Sequence, residues 1–318
     1  MIIYNNQILK VIVAMKIMLM VFVTTGCGTV TTRSSQSESS NLQPYEFEFK
    51  DGGKSIYYTF VLGQKRVNDT AIFFISGSGC ASVKDRFPGY FNPLLDVNAS
   101  VYIMQKRGIS DGDSGALCSS KFVNNDNYNT ILSDQMEFIT SKIESNKSRY
   151  KNIVLIGASE GALVAAKIAQ INSNITHLGL IGSGGSSLRN YMKLLGRKRL
   201  FFFNVDSNLS SIAKYPYSLK DKVWGHTYRY WSSILDVDLR EILPELEINI
   251  VIAMGEEDKY VPVETLDPLQ EKFKKLGKNN LIVLRYSGAD HKLYSQGKSK
   301  SYAPNFLNTI KALLKQKT

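Results

Sequence analysis

The stretch that decides the fold is Ile153-Val-Leu-Ile-Gly157-Ala158-Ser159-Glu160-Gly161, which runs straight into Ala162-Leu-Val-Ala-Ala-Lys-Ile-Ala169. An unbroken apolar run reads as a strand covered on both faces, and the Ala-rich run after it reads as a helix. Between them lies G-x-S-x-G. A serine on so tight a strand-to-helix turn takes a strained backbone conformation, so its neighbours two before and two after must be small. Gly157 and Gly161 meet that need, and the Ser159 hydroxyl would be lifted clear of the sheet. Without chemistry the same residues would make only a glycine-rich turn. The buried strand on one side and the Ala-rich helix on the other favour a nucleophile.

Working outward, β-branched or aromatic runs predict strands at Tyr45–Phe49, Ser55–Leu62, Ala71–Ile75, Ser100–Met104, Asn152–Ile156, His177–Ile181, Ile248–Met254 and Leu281–Tyr286. The first two alternate in polarity, which suits an antiparallel edge; Ala71–Ile75 is nearly all apolar, as a covered parallel strand should be. Helical spacing marks Ile131–Ile143, Gly161–Ile171, Val263–Leu276 and Asn305–Lys315. Strands alternating with helices predict an α/β class: a doubly wound, mostly parallel eight-stranded sheet. Ser186–Glu247 breaks that rhythm with aromatic and basic residues (Tyr191, Phe201-Phe-Phe203, Trp224, His226, Tyr230, Trp231) and no clean strand. A structureless loop of that length is improbable in a compact domain, so it reads as a helical cap insertion over about residues 186–247.

At this point the chain resembles the α/β-hydrolase family, whose triad runs Ser, acid, His along the sequence. After the strand ending at Met254 stands Gly255-Glu-Glu-Asp258-Lys-Tyr-Val261-Pro262, similar to the family's G-x-x-D-x-x-V-P. After Tyr286 comes Ser287-Gly288-Ala-Asp290-His291, similar to its G-x-x-H. The resemblance thus implies a catalytic Ser159, Asp258 and His291. Glu256 and Glu257 compete with Asp258 as the carboxylate, and the spacing favours Asp258. Of the three histidines, His177 begins a strand and His226 lies in the insertion; only His291 follows the last strand. Asp290 is expected to point elsewhere.

The resemblance also implies an oxyanion hole. Ser76-Gly77-Ser78-Gly79-Cys80 follows Ala71–Ile75 where the family often has His-Gly-x-Gly, with Ser76 replacing the His. One donor is expected from Ser78 or Gly79, the other from Glu160. The third glycine of a dinucleotide-binding G-x-G-x-x-G is missing, Ser82 standing there, so that reading is rejected. Arg107 in Met104-Gln-Lys-Arg107-Gly108 looks like part of a family loop and is expected to brace the site from beneath, with substrate binding the other possibility.

Residues 1–26 carry Lys10, Lys16 and no acid, then the apolar Ile17–Val23 and Thr24-Thr25-Gly26-Cys27. This is the order of a signal peptide. Its end resembles a bacterial lipobox with Thr24 where Leu is commonest, which implies a lipid on Cys27. Plain secretion and a retained anchor are the alternatives, and Met1 or Met15 could initiate. Gly28–Pro44, rich in Ser, Thr, Gln and Asn, reads as a flexible linker. The expected domain is therefore 45–318, in an exported protein of the bacterial cell envelope, periplasmic or surface. With Cys27 lipidated and thiols tending to pair outside the cytoplasm, a Cys80–Cys118 disulfide is expected.

Composition sets outer bounds on the 318 residues. With 21% charged and 11% aromatic residues the chain has enough apolar matter to fold, and three cysteines are too few for a disulfide scaffold. Net charge is +11, and eleven Lys/Arg crowd Lys272–Thr318 against the single acid Asp290. They could attract an anionic membrane surface, but a solvated helix face is favoured. Nucleic acid is not expected as a partner. The expected activity is hydrolysis of a carboxylic ester through an acyl-enzyme, on a small-molecule acyl substrate, with no metal or other cofactor required. A serine peptidase of the same fold, or a non-catalytic binding lipoprotein, stands as the alternative.

Overall fold

The computed structural model describes residues 42–316, apart from 65–67, 85, 86, 88, 147, 148 and 199–203. The leader at 1–26, Cys27, most of the linker and Phe201–Phe203 lie outside the described residues. Tyr45–Glu48 (β1) and Lys54–Leu62 (β2) form an antiparallel pair at one edge, followed by Thr70–Ile75 (β3) and Ala99–Met104 (β4). Two helices, Ser120–Asn125 (α1) and Tyr128–Glu144 (α2), lead to Asn152–Ala158 (β5), Glu160–Ile171 (α3) and His177–Ile181 (β6). The chain then leaves the sheet for Leu188–Lys198 (α4) and Val205–Lys214 (α5). A two-residue hairpin of Lys222–Val223 (β7) and His226–Thr227 (β8) precedes Tyr228–Ile234 (α6) and Leu239–Ile242 (α7). Asn249–Gly255 (β9), Leu266–Lys275 (α8), Leu281–Tyr286 (β10) and Ala303–Lys315 (α9) complete the fold.

The sheet has eight strands in the order β1-β2-β4-β3-β5-β6-β9-β10. Every ladder from β4 to β10 is parallel, and only β1 with β2 and β2 with β4 are antiparallel. β3 is buried at every position, the signature of a strand with layers on both sides. On one face Phe138 and Ile139 of α2, Leu163 of α3 and Leu266, Leu269 and Phe273 of α8 build the larger core. The other face is covered by Phe306, Leu307 and Ile310 of α9 and, where β3 crosses to β4 without an α-helix, by an aromatic group. There Phe74, Phe87, Tyr90 and Phe91 pack edge-on and stacked, at centroid distances of 4.8–6.2 Å. Rings bury large apolar area per residue, so a short loop can cover what a helix usually covers.

The strand positions follow the sequence reading to within a residue or two. α9 begins at Ala303 rather than Asn305, because Pro304 fills the first turn, where its missing N–H costs nothing. Val263–Thr265 forms a 3-10 turn before α8 instead of continuing the helix. The expectation of no strand between 186 and 247 is corrected by the hairpin β7–β8, which is too short to carry a period. Among the described residues no helix is long and apolar enough to cross a membrane.

Candidate active site

Ser159 sits between the last residue of β5 and the first of α3 with φ 54 and ψ −119, a backbone conformation that side-chain-bearing residues rarely adopt. The turn is held from both ends. The Ser159 N–H donates to the Ile181 carbonyl of β6 at 2.7 Å, and its own carbonyl accepts from Ala162 N–H at 3.0 Å. The flanking glycines are needed because the backbones nearly touch. A Cβ on Gly161 would stand 2.2 Å from the Ile75 carbonyl oxygen, and one on Gly157 2.3 Å from that of Gly161. Neither contact is possible for real atoms.

Asp258 follows β9, and its side chain is completely buried. Its Oδ1 accepts the backbone N–H groups of Tyr260 (2.8 Å) and Val261 (3.0 Å), which aims Oδ2 at His291, whose Nδ1 donates to it at 2.7 Å. That bond orients the imidazole and favours the tautomer whose Nε2 lone pair can accept a proton. Glu256 and Glu257 are exposed and engage the chain through their backbone amides, so Asp258 alone of the three acids meets the histidine. His291 approaches the strand that holds the Ser159 amide: a Cβ on Gly182, the residue after Ile181, would lie 2.9 Å from His291 Cε1 and 3.1 Å from Nδ1. Gly182 (φ +59) therefore joins the partner of the Ser159 amide to the imidazole. It was not singled out in the sequence, although Gly182-Ser-Gly184-Gly185 directly after a strand was a visible sign of close approach.

The loop bearing His291 is tightly tied. Asp290 points away from the imidazole, its Oδ1 accepting Lys292 N–H and Tyr294 N–H, both at 2.9 Å. Leu293, fully buried at φ 62, accepts Tyr302 N–H at 2.8 Å. On the other side of Ser159 lies Gly77, whose added Cβ would meet Ser159 Cβ at 3.1 Å. The expected donors were Ser78 or Gly79. Ser78 is exposed and Gly79, at φ +99, has open space beside its α-carbon, while Gly77 is the glycine of this stretch that packs on Ser159. Glu160 opens α3, where the first amides have no intrahelical acceptor and face outward. A disulfide joins Cys80 to Cys118, with α-carbons 5.5 Å apart, and ties the loop after β3 to the loop after β4.

The Glu160 side chain enters a buried polar cluster that the sequence did not reveal. Lys106 Nζ donates to Glu160 Oε2; the side chains are only 6% and 2% exposed. Asp126 Oδ1 lies 3.8 Å from the same ammonium, and its Oδ2 is 3.1 Å from His226 Nδ1. His226 stacks on Tyr230 at 3.8 Å. The Tyr230 phenol titrates well above the usual tyrosine range, first through burial, then through the facing charges of Glu160 and Asp126. Arg107, one residue after Lys106, forks onto Asp134 (2.6 and 2.7 Å), bonds Asp51 (2.7 Å) and covers Phe49. It braces the loop, and its guanidinium is held even more firmly charged by Asp134 above all. His177, buried at the start of β6 against Thr176 Oγ1 (2.8 Å), is pushed below the usual histidine range by that burial and stands apart from the site.

Such a sheet, with a serine on the β5–α3 turn, an acid after β9 and a histidine after β10, has the α/β-hydrolase fold. No family model matches the sequence, and no curated protein is similar enough to match. Solved structures do match. The Pyrococcus furiosus esterase Pf2001 superposes with a TM-score of 0.60 at 16% identity, over 90% of this chain and 95% of that one. Est1E from Butyrivibrio proteoclasticus gives 0.57 at 12%, over 85% and 97%. The Pyrococcus horikoshii acylaminoacyl peptidase gives 0.53 at 12%, over 87% of this chain but only 41% of that longer one. At these identities the likeness is one of fold.

Proposed function

We propose that this chain is a serine hydrolase that cleaves carboxylic esters through an acyl-enzyme. The observation that carries the reading is the 2.7 Å bond between a fully buried Asp258 and His291, whose ring packs on Gly182, next to the Ile181 carbonyl that holds the amide of a serine in a strained turn. Strain of this kind costs about 1–3 kcal/mol and persists where a function requires it. Esterases and an acylaminoacyl peptidase share this fold, which supports a hydrolase.

The Ser159 oxygen attacks the substrate carbonyl carbon while its proton passes to His291 Nε2. Asp258 holds the imidazole by Nδ1 and stabilises the charge that forms. The carbonyl oxygen, now negative, is met by backbone N–H groups near Gly77 and at the start of α3, each such donor contributing about 3–4 kcal/mol. When the C–O bond breaks, His291 returns the proton to the departing oxygen, leaving the acyl group on Ser159. Water then takes the place of the departed alcohol, its oxygen bonding to the acyl carbon as its proton passes to His291. The bond to Ser159 breaks, His291 returns that proton to the Ser159 oxygen, and the carboxylic acid is released. A peptide bond could be cut by the same steps, and the fold shared with an acylaminoacyl peptidase keeps that reading in view.

We further propose that the protein is exported and held at a membrane by a lipid on Cys27, a reading supported by Ile17–Cys27 and the polar linker after it. The test of the catalytic reading is labelling with a fluorophosphonate, together with hydrolysis of short p-nitrophenyl esters and of acylaminoacyl p-nitroanilides. Wild type is expected to be labelled and to prefer esters, and Ser159→Ala to lose both properties while keeping its melting temperature within a few degrees. Labelling retained in Ser159→Ala would overturn the assignment; anilide turnover above ester turnover would favour the peptidase.

A further inference from the structure

Beyond the triad, one large side chain stands at the site without a structural task. Tyr260, two residues after Asp258, is tied by its backbone N–H to the Asp258 carboxylate. Its ring lies edge to face with that of His291, centroids 5.3 Å apart. Yet 63% of the residue is exposed, and the ring joins neither of the two large cores. A tyrosine whose ring is this open leaves apolar area in water that a bound molecule could cover.

Which part of a substrate reaches it follows from the mechanism. In acylation the bond between the carbonyl carbon and the alcohol oxygen breaks, and His291 delivers the proton to that oxygen. The alcohol portion must therefore lie against His291 at the moment it leaves. The acyl portion is bonded to Ser159 and extends away from the imidazole. The Tyr260 ring contacts the same imidazole that serves the departing alcohol oxygen.

We propose that Tyr260 is the wall of the leaving-group subsite and makes the enzyme selective for esters of aromatic or similarly flat apolar alcohols. This rests on the serine-hydrolase reading above and narrows its substrate class. The contact exists only until the alcohol departs. It therefore accelerates acylation and is absent from deacylation, where water has replaced the alcohol.

The test uses two acetate esters, benzyl and ethyl, whose alcohols are similar in acidity and differ in having a ring. Wild type, Tyr260→Ala and Tyr260→Phe are compared for kcat/KM on each, with the deacylation rate taken from single-turnover decay of the acetyl-enzyme. The ratio of benzyl to ethyl kcat/KM should fall about tenfold in Tyr260→Ala, as expected for loss of one good ring contact. It should stay near the wild-type ratio in Tyr260→Phe, and the acetyl-enzyme should decay at one rate whichever ester formed it and whichever variant carries it. An equal loss on both esters, or a slowed decay in Tyr260→Ala, would overturn the proposal and leave Tyr260 as a support for His291. An unchanged ratio in Tyr260→Ala would overturn it as well. These outcomes all presuppose a wild type that fluorophosphonate labels at Ser159. A wild type that is neither labelled nor active on either ester would instead remove the hydrolase reading itself, and the subsite with it.

Discussion

Replacing Lys106 by Met tests whether the buried cluster around Glu160 is a working part of the fold. The ammonium is the sole lysine or arginine charge facing two buried carboxylates among the described residues, Glu160 directly and Asp126 at 3.8 Å. Methionine fills nearly the same volume, so the substitution removes charge more than packing. Exposed ion pairs contribute at most about 1 kcal/mol. Here both partners are almost fully enclosed, and taking one away strands a carboxylate, which costs about 3–5 kcal/mol. At ~2–4 °C per kcal/mol for a domain of this size, the melting temperature of Lys106→Met should drop by roughly 10 °C. Adding Glu160→Gln removes the stranded charge, so the double variant should recover at least ~2 kcal/mol of the loss. Both tryptophans, Trp224 and Trp231, lie in the cap near His226, so their fluorescence during urea unfolding reports the region in question. A loss below about 1 kcal/mol for Lys106→Met, or two single substitutions whose costs simply add, would refute the argument that these charges depend on one another.

Three further outcomes follow from the geometry. Gly182→Ala puts a methyl group 2.9 Å from the imidazole at a positive φ; it should cost about 1–3 kcal/mol and lower kcat at least tenfold, measured by melting and ester turnover. Reducing the Cys80–Cys118 bond, which closes a 38-residue separation, should lower stability by up to ~4 kcal/mol, read as a melting shift with and without dithiothreitol. Asp96, at the loop before β4, is held down to about 2 by Lys315 first and then Lys311, both on α9. Its carboxylate binds fewer protons folded than unfolded, so its contribution is full above pH 4 and fades as the pH falls towards 2. Asp96→Asn should therefore melt slightly below wild type at pH 7 and level with it at pH 2; a difference that persists at pH 2 would contradict this.

The parts legible in the sequence are those governed by period and local sterics. β3, β5 and β9 announce themselves as apolar runs because both faces are covered, and Gly157 and Gly161 are dictated by a turn whose atoms are all close in sequence. Asp258 and His291 could be found because each follows a strand in a short motif. The union of Lys106, Asp126, Glu160 and His226 was not legible, because it is made by the meeting of four segments whose spacing carries no period. Glu160 was read for its amide alone; nothing local says that its carboxylate would be buried. Gly182 escaped notice, and Gly77 was read only as part of a donor loop, for a related reason. A missing Cβ is demanded by a neighbour distant in sequence, so the need appears only when the strands are laid side by side. The hairpin β7–β8 has two residues per strand, and alternation needs more.

The strand order has a mechanical corollary. β10 lies three places from β5, a gap of about 14 Å at ~4.8 Å per step. His291 must therefore cantilever back across β9 to reach Gly182 at the end of β6, and nothing in the sheet itself sets where its tip ends up. That accuracy is delegated to small fastenings: the two amides gripped by Asp290, the left-handed Leu293, the strut from Tyr302. On the proposed mechanism, a change at any of these would detune proton transfer as surely as a change at Ser159, Asp258 or His291, because the span magnifies slack at its root into misalignment at its end.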